Sequence, residues 1–427
     1  MGKCSLADCK NECFKQEDKC ILHCNKNENN GWYKFNENDK KIWSTEKVKL
    51  FWKQVANETS SITENENSMK VVSLELKQDS NYEIFNYHFT KVIFPESIFD
   101  LIDDRSFFGL DKDINIYFVK CIFLGLNDFS LISKAKNVTF QNCQFFEDVE
   151  FKHIEFNNIF LFEDCQVNKM IIFQNIIFKG TSSFINSKFH KKLNFIHSRF
   201  DDLALFNDIK AEKLLLDNTF FRGEANFLKI NANMADRETA RIIKNSFEQQ
   251  NNIIEANRFY TREMEEREKE LTFLKNPVEW LIFKFHSVTS NHSQDPISPI
   301  IWIFSISFFY LTFTQINLQD YSFGNSLYYH VVNIMAILIT LSLYYKKCEI
   351  SHIGKILYVG ALQLSYLKFI SNCSYSEIFN TIADKINPFS IMTGKDTITF
   401  GLLLFKVIIA YLIYQFIVSV RQNTRRK

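Results

Sequence analysis

Glycine and proline are scarce, 11 and 5 among 427 residues, which argues against a disordered, linker-like chain. Excess charge is also lacking. The net charge is +1, so no whole-molecule field favours DNA or acidic partners. The first forty residues hold no apolar core of the length a secretory signal needs. No Walker loop, dinucleotide fingerprint, HExxH or nucleophile elbow occurs, and no His and Asp spacing assembles a triad. A non-catalytic chain is therefore expected. What the chain has in excess is phenylalanine, 45 residues of it.

The phenylalanines are periodic. Phe107, Phe118, Phe129, Phe140, Phe151, Phe162, Phe173, Phe184, Phe195 and Phe206 recur every eleven residues without a break. A second register five residues later holds Phe123, Phe145, Phe156, Phe178, Phe189 and Phe200, with Val167 in one slot and Lys134 in another. Neither a helix nor a long strand gives such spacing. Cys121, Cys143, Cys165, Ser187 and Ile209 recur every 22 residues, each two before a register position. Two inward positions separated by one residue fit a very short strand, and 22 residues fit one coil of four short sides. Five or six such coils would stack Phe on Phe at one strand spacing, to a height of roughly 25 Å. Intervening Asn, Asp, Lys and Glu suit solvent-facing corners.

Stretches such as FINSKF and FIHSRF in residues 85–230 resemble degenerate pentapeptide repeats. That resemblance implies a right-handed quadrilateral β-helix. Some members of the family imitate DNA with an acidic face and bind topoisomerases. Here residues 107–228 carry 15 acidic and 14 basic side chains, which disfavours that role.

Cys4, Cys9, Cys13, Cys20, His23 and Cys24 cluster at the start of the chain. Tetrahedral zinc takes four such ligands, usually as two close pairs. Cys4 with Cys9, and Cys20 with Cys24, form the expected set, with Cys13 and His23 as alternates. A structural Zn2+ would order a segment that has no core of its own. KCILHC resembles the second knuckle of small zinc modules fused to some bacterial repeat proteins. The remaining cysteines suit reduced, buried thiols.

A short helix is expected over 44–57, capped by Ser44 or Thr45, with Val48, Phe51, Trp52 and Val55 on one face. Residues 235–275 turn helical, with Asn251–Asn252 as the turn of a hairpin that caps the coil. EANRFYTREMEEREKEL resembles segments joining pentapeptide repeats to membrane domains in bacterial proteins. The expected domains are 1–30 (zinc-binding segment), 31–70 (helix and linker), 71–230 (β-helix), 231–276 (hairpin) and 277–427 (membrane domain).

Four transmembrane helices are expected, at 299–318, 327–345, 353–370 and 397–420, behind an interfacial helix near Trp280, Phe283, Lys284 and Phe285. Lys346, Lys347, Arg421, Arg425, Arg426 and Lys427 place both termini in the cytoplasm by the positive-inside rule. With the resemblance, this implies a multi-pass protein of the bacterial inner membrane. Lys406 falls near mid-span, where a charge costs about 3 kcal/mol. The leading functional reading is a membrane-tethered interaction scaffold with a protein partner or a second copy of the chain, and no nucleic acid. The rival is a channel or transport subunit. Residues 371–396 would be its pore loop, and Thr397-Ile398-Thr399-Phe400-Gly401 resembles a potassium-channel filter, although Thr399 replaces the central Gly.

Overall fold

In the computed structural model, residues 3–60, 85–96, 114–318, 327–338, 361–368, 374–390 and 399–424 are described, apart from a few positions within those ranges. The chain forms two compact units, Met1–Asn252 and Ile253–Lys427.

The first unit is built on a parallel β-solenoid of about five turns with four walls. Strands Asn137–Gln141, Gln144–Phe145, Val149–Lys152 and Glu155–Phe156 make up one turn. Each pairs in parallel with its counterpart one turn later, as in Phe140↔Phe162, Phe145↔Val167, Phe151↔Phe173 and Phe156↔Phe178. The eleven-residue register therefore alternates between opposite walls: Phe118, Phe140, Phe162, Phe184 and Phe206 line one, and Phe129, Phe151, Phe173 and Phe195 line the other. All nine are buried. Phe107 and Lys134 lie outside the described residues. The second register fills the remaining two walls in the same way.

Strand spacing of about 4.8 Å brings successive rings face to face. Phe123 and Phe145 centroids are 4.5 Å apart and 3° from parallel, Phe151 and Phe173 4.8 Å and 5°, and Phe200 and Phe221 4.7 Å and 3°. Rings from opposite walls meet edge to face across the core, as at Phe184 and Phe195 (5.2 Å, 82°). Both arrangements suit the ring quadrupole.

At six positions, each two before a residue of the second register, a small polar side chain does a second task. Cys121 Sγ donates to the Phe89 carbonyl at 3.1 Å, Cys143 to Phe118 at 3.3 Å and Cys165 to Phe140 at 3.5 Å. Ser187, Ser198 and Thr219 repeat the contact to Phe162, Phe173 and Phe195. A small side chain with one donor fits there and satisfies a buried carbonyl. Burial pushes the Cys121 and Cys165 thiols well up, so they remain protonated and able to donate. The corners are left-handed: Asn142, His153, Asp164, Asn175, Asn186, His197, Asp208, Asn218 and Lys229 have φ of 49–58°. Asn and Asp tolerate this region better than most residues.

Helix α1 (Thr45–Ser60) covers the first turn. Val48, Phe51, Trp52 and Val55 are buried, Phe51 lies 5.7 Å from Phe94, and Trp52 Nε1 donates to the Glu96 carbonyl. At the other end lies α2 (Arg237–Gln249), capped by Asp236. Its buried Ile243 and Phe247 face the last turn. Thr239 Oγ1 accepts from Leu216 N at 2.9 Å, while Ser246 Oγ and Gln250 Nε2 donate to the Ala225 carbonyl.

The second unit is helical: α3 (Ile253–Glu270), α4 (Pro277–Ser290), α5 (Ile297–Leu318), α6 (Tyr375–Ile386) and α7 (Phe400–Thr424). Two of these, α5 over Ile297–Thr314 and α7, are long and apolar enough to cross a membrane. The expected spans 327–345 and 353–370 fall largely outside the described residues; helical turns are seen at 327–332 and 363–368. The stretch read as a pore loop instead contains α6. Ser374 and Glu377 form a reciprocal capping box at its start, and Ile378 and Ile382 pack with Phe308, Leu311 and Leu367.

Replacing Phe173, which is fully buried, with Ala should cost about 3–5 kcal/mol because both stacked neighbours lose a contact across a cavity. Phe146→Ala, at an exposed corner, should stay within about 0.5 kcal/mol. Equilibrium denaturation followed by sheet circular dichroism measures both.

Candidate metal centre

Residues 3–24 fold back on themselves through a Lys3↔Glu12 antiparallel bridge and the Cys4 N to Asn11 O bond. A single turn follows, in which His23 N and Cys24 N both donate to the Cys20 carbonyl. These two features bring Cys4, Cys9, Cys20 and His23 together. All four are buried, and their ligand atoms lie within 4.8 Å of one another. Cys9 Sγ is 3.6 Å from Cys20 Sγ, Cys20 Sγ 3.2 Å from His23 Nδ1, and Cys4 Sγ 3.8 Å from His23 Nδ1. Tetrahedral bonds of about 2.3 Å to sulfur and 2.0 Å to nitrogen give ligand–ligand edges of roughly 3.5–3.8 Å. The donor set and its spacing therefore fit one small, thiophilic cation.

The structure places His23, not Cys24, in the fourth position. Cys20, His23 and Cys24 share one turn, and local geometry decides which side chain turns inward. Cys24 is buried, with Sγ 3.6 Å from the Ile21 carbonyl. Cys13 is half-buried and donates to the Lys3 carbonyl.

Electrostatics separate the thiols. Burial raises Cys9 and Cys20. At Cys4 burial acts the same way but is outweighed by hydrogen bonds from the Cys20 and Leu6 backbone and the neighbouring thiols, so Cys4 is lowered. Burial lowers His23, which favours the neutral imidazole that a metal requires. The Thr90 backbone lies beside the His23 ring, where an outer contact would orient a ligating imidazole. Thr90 ends the first strand of the coil, and Ile93 N donates to the Leu22 carbonyl at 3.0 Å. The cluster is thereby fastened to the edge of the solenoid.

Lys26, which the sequence did not single out, completes the module. Its buried Nζ donates to the Ile21, Leu22 and Cys24 carbonyls and lies 4.9 Å from the Trp32 ring centre and 4.8 Å from that of Phe51. Burial lowers its pKa to about 7. The aromatic residues at 32 and 51 were the only available signal.

In the second unit, Lys406 is 2% exposed and its Nζ donates to Asn387 O at 2.5 Å and Ser390 Oγ at 2.7 Å. Thr399 Oγ1 accepts from Leu402 N and its carbonyl from Leu403 N, capping α7; Thr397 lies outside the described residues. A further polar group carries no signal in the sequence. His292, fully buried on three consecutive left-handed residues 291–293, has Nδ1 3.3 Å from His286 Nδ1 and Nε2 3.7 Å from Glu268.

The chain matches no family model, no curated protein and no solved structure. The Phe-stacked parallel solenoid and the Cys/His cluster are consistent with pentapeptide repeats preceded by a small knuckle.

Native-state alkylation should distinguish the thiols. Half-buried Cys13 should react with iodoacetamide at least about ten times faster than Cys9 and Cys20, which are buried and raised. Peptide mass spectrometry after short exposure reads this directly.

Proposed function

We propose that the chain is a membrane-anchored, non-catalytic interaction scaffold of the bacterial pentapeptide-repeat type, held in the inner membrane with both termini on the cytoplasmic side. One observation carries the reading. A rigid coil, covered at both ends, displays outward side chains at a fixed spacing from turn to turn, on a chain that also holds two membrane-length apolar helices. A regular, stiff surface suits recognition, because little side-chain or loop ordering is lost on binding. The outer face of α7 supports the anchoring: Phe400, Leu403, Leu404, Val407 and Ile417 are exposed, as apolar side chains facing lipid would be.

Cys4, Cys9, Cys20 and His23 hold a structural Zn2+ in this reading. Bound, the ion would supply a closed tetrahedral crosslink and no open position for chemistry. Its role is to fix the N-terminal module, and through the Leu22 carbonyl the first edge of the coil.

Two experiments test these statements. Purified full-length protein in a planar bilayer should carry no ion-selective current; a steady conductance altered by Thr399→Ala would overturn the scaffold reading in favour of a pore. Elemental analysis should find stoichiometric zinc, lost in Cys20→Ser and kept in Cys13→Ser. Substoichiometric metal that is indifferent to Cys20→Ser would remove the zinc site.

A further inference from the structure

The balance of charge over the coil conceals a local imbalance. In most turns the basic side chains of the walls have a carboxylate beside them: Lys152 with Glu150, Lys169 with Glu147, Lys179 with Glu155, Arg199 with Asp201, and Lys229 with Asp208. The strands Lys188–Ile196 and Lys210–Leu215 differ. They pair in parallel with Lys188 opposite Lys210 and Lys192 opposite Lys213, one strand spacing apart. Like charges directly opposite one another destabilise a sheet. Lys191 adds a fifth positive charge, and Glu212, 3.4 Å from Lys191, is the one carboxylate within these two strands. Among the described residues no acid lies in ion-pair range of Lys188, Lys192, Lys210 or Lys213. All five lysines are exposed except the half-buried Lys192. The same corner two turns earlier carries Glu147 and Asp148, so its sign reverses along the coil, from acidic to basic.

We propose that this lysine corner docks on anionic phospholipid headgroups of the membrane that holds the C-terminal helices. The inference rests on the membrane-anchored reading above. Clusters of four to eight Lys or Arg beside a membrane segment bind anionic leaflets by charge alone, without a shaped pocket. The corner offers a cluster of that size on a stiff sheet. It also lies on the last turns of the coil, from which the chain passes through α2 into the unit containing α5 and α7. A layer of headgroups would relieve the Lys188–Lys210 and Lys192–Lys213 repulsion, against which the corner sets only Glu212.

The test uses full-length protein in nanodiscs of phosphatidylcholine alone or mixed with phosphatidylglycerol. Lysines are acylated briefly with a water-soluble ester and read by mass spectrometry. Labelling of Lys188, Lys191, Lys192, Lys210 and Lys213 should fall several-fold in the anionic discs and recover at high salt, while Lys152 and Lys179 stay constant. Equal labelling in both discs overturns the proposal, as does a uniform fall at all lysines. Protection of the same five residues in phosphatidylcholine discs by added single-stranded DNA would assign the surface to nucleic acid instead. A chain that fails to incorporate into either disc refutes the membrane reading itself, whereas incorporation with unchanged labelling refutes the docking alone.

Discussion

The return of a phenylalanine to the same wall once in every turn sets the geometry of the first unit. Backbone pairing fixes the distance between turns, and an aromatic ring at that spacing meets its neighbour face to face. Phe151, Phe173 and Phe195 form one such column, each 4.8 Å from the next and nearly parallel. The column constrains everything around it. The central turns keep one length, and their corners repeat a left-handed conformation at Asn175, Asn186, His197 and Asp208. Carbonyls buried beside the rings take donors from the adjoining position where it is Cys, Ser or Thr. Where Val167 stands for Phe, Phe162 of the adjoining wall fills the gap, 5.4 Å from Phe145 and 6.0 Å from Phe189.

A stacked coil has two open ends, each with unpaired backbone groups that would recruit other strands. The two ends are treated differently. At the last turn, α2 lays an apolar face and three polar side chains on the sheet edge. At the first turn, a segment too small for its own core does the same work, using clustered thiols, one imidazole and a lysine caged by carbonyls and rings. The Cys/His cluster and the solenoid are thus parts of one structure, joined at Leu22–Ile93.

Much of this was legible in the sequence because a repeat states its geometry many times over. Phe positions, the Cys121–Cys143–Cys165 ladder and the polar corners each recur, and one irregular slot does not hide the rest. What occurs once was harder to read. His23 and Cys24 are neighbours, and only the local turn decides which joins Cys4, Cys9 and Cys20. Lys26 reads as a surface residue until Trp32 and Phe51 are folded over it. Helix α6 was announced by Ser374 and Glu377 at capping-box spacing, but the Thr-rich segment after it drew the stretch into a pore loop. The lysine corner is hidden in the near-neutral total of the coil, because register determines which charges face each other.

The most direct test of the columns is register itself. Glu150 and Ile172 are in-register partners on neighbouring turns, within the distance a disulfide spans, whereas Glu150 and Gln174 are offset by two residues and fall beyond it. The double variant Glu150→Cys with Ile172→Cys should oxidise to a crosslink that peptide mapping locates, and Glu150→Cys with Gln174→Cys should not. Crosslinking of the offset pair, or of both pairs equally, would contradict a coil whose turns stack in the register seen at Phe151 and Phe173.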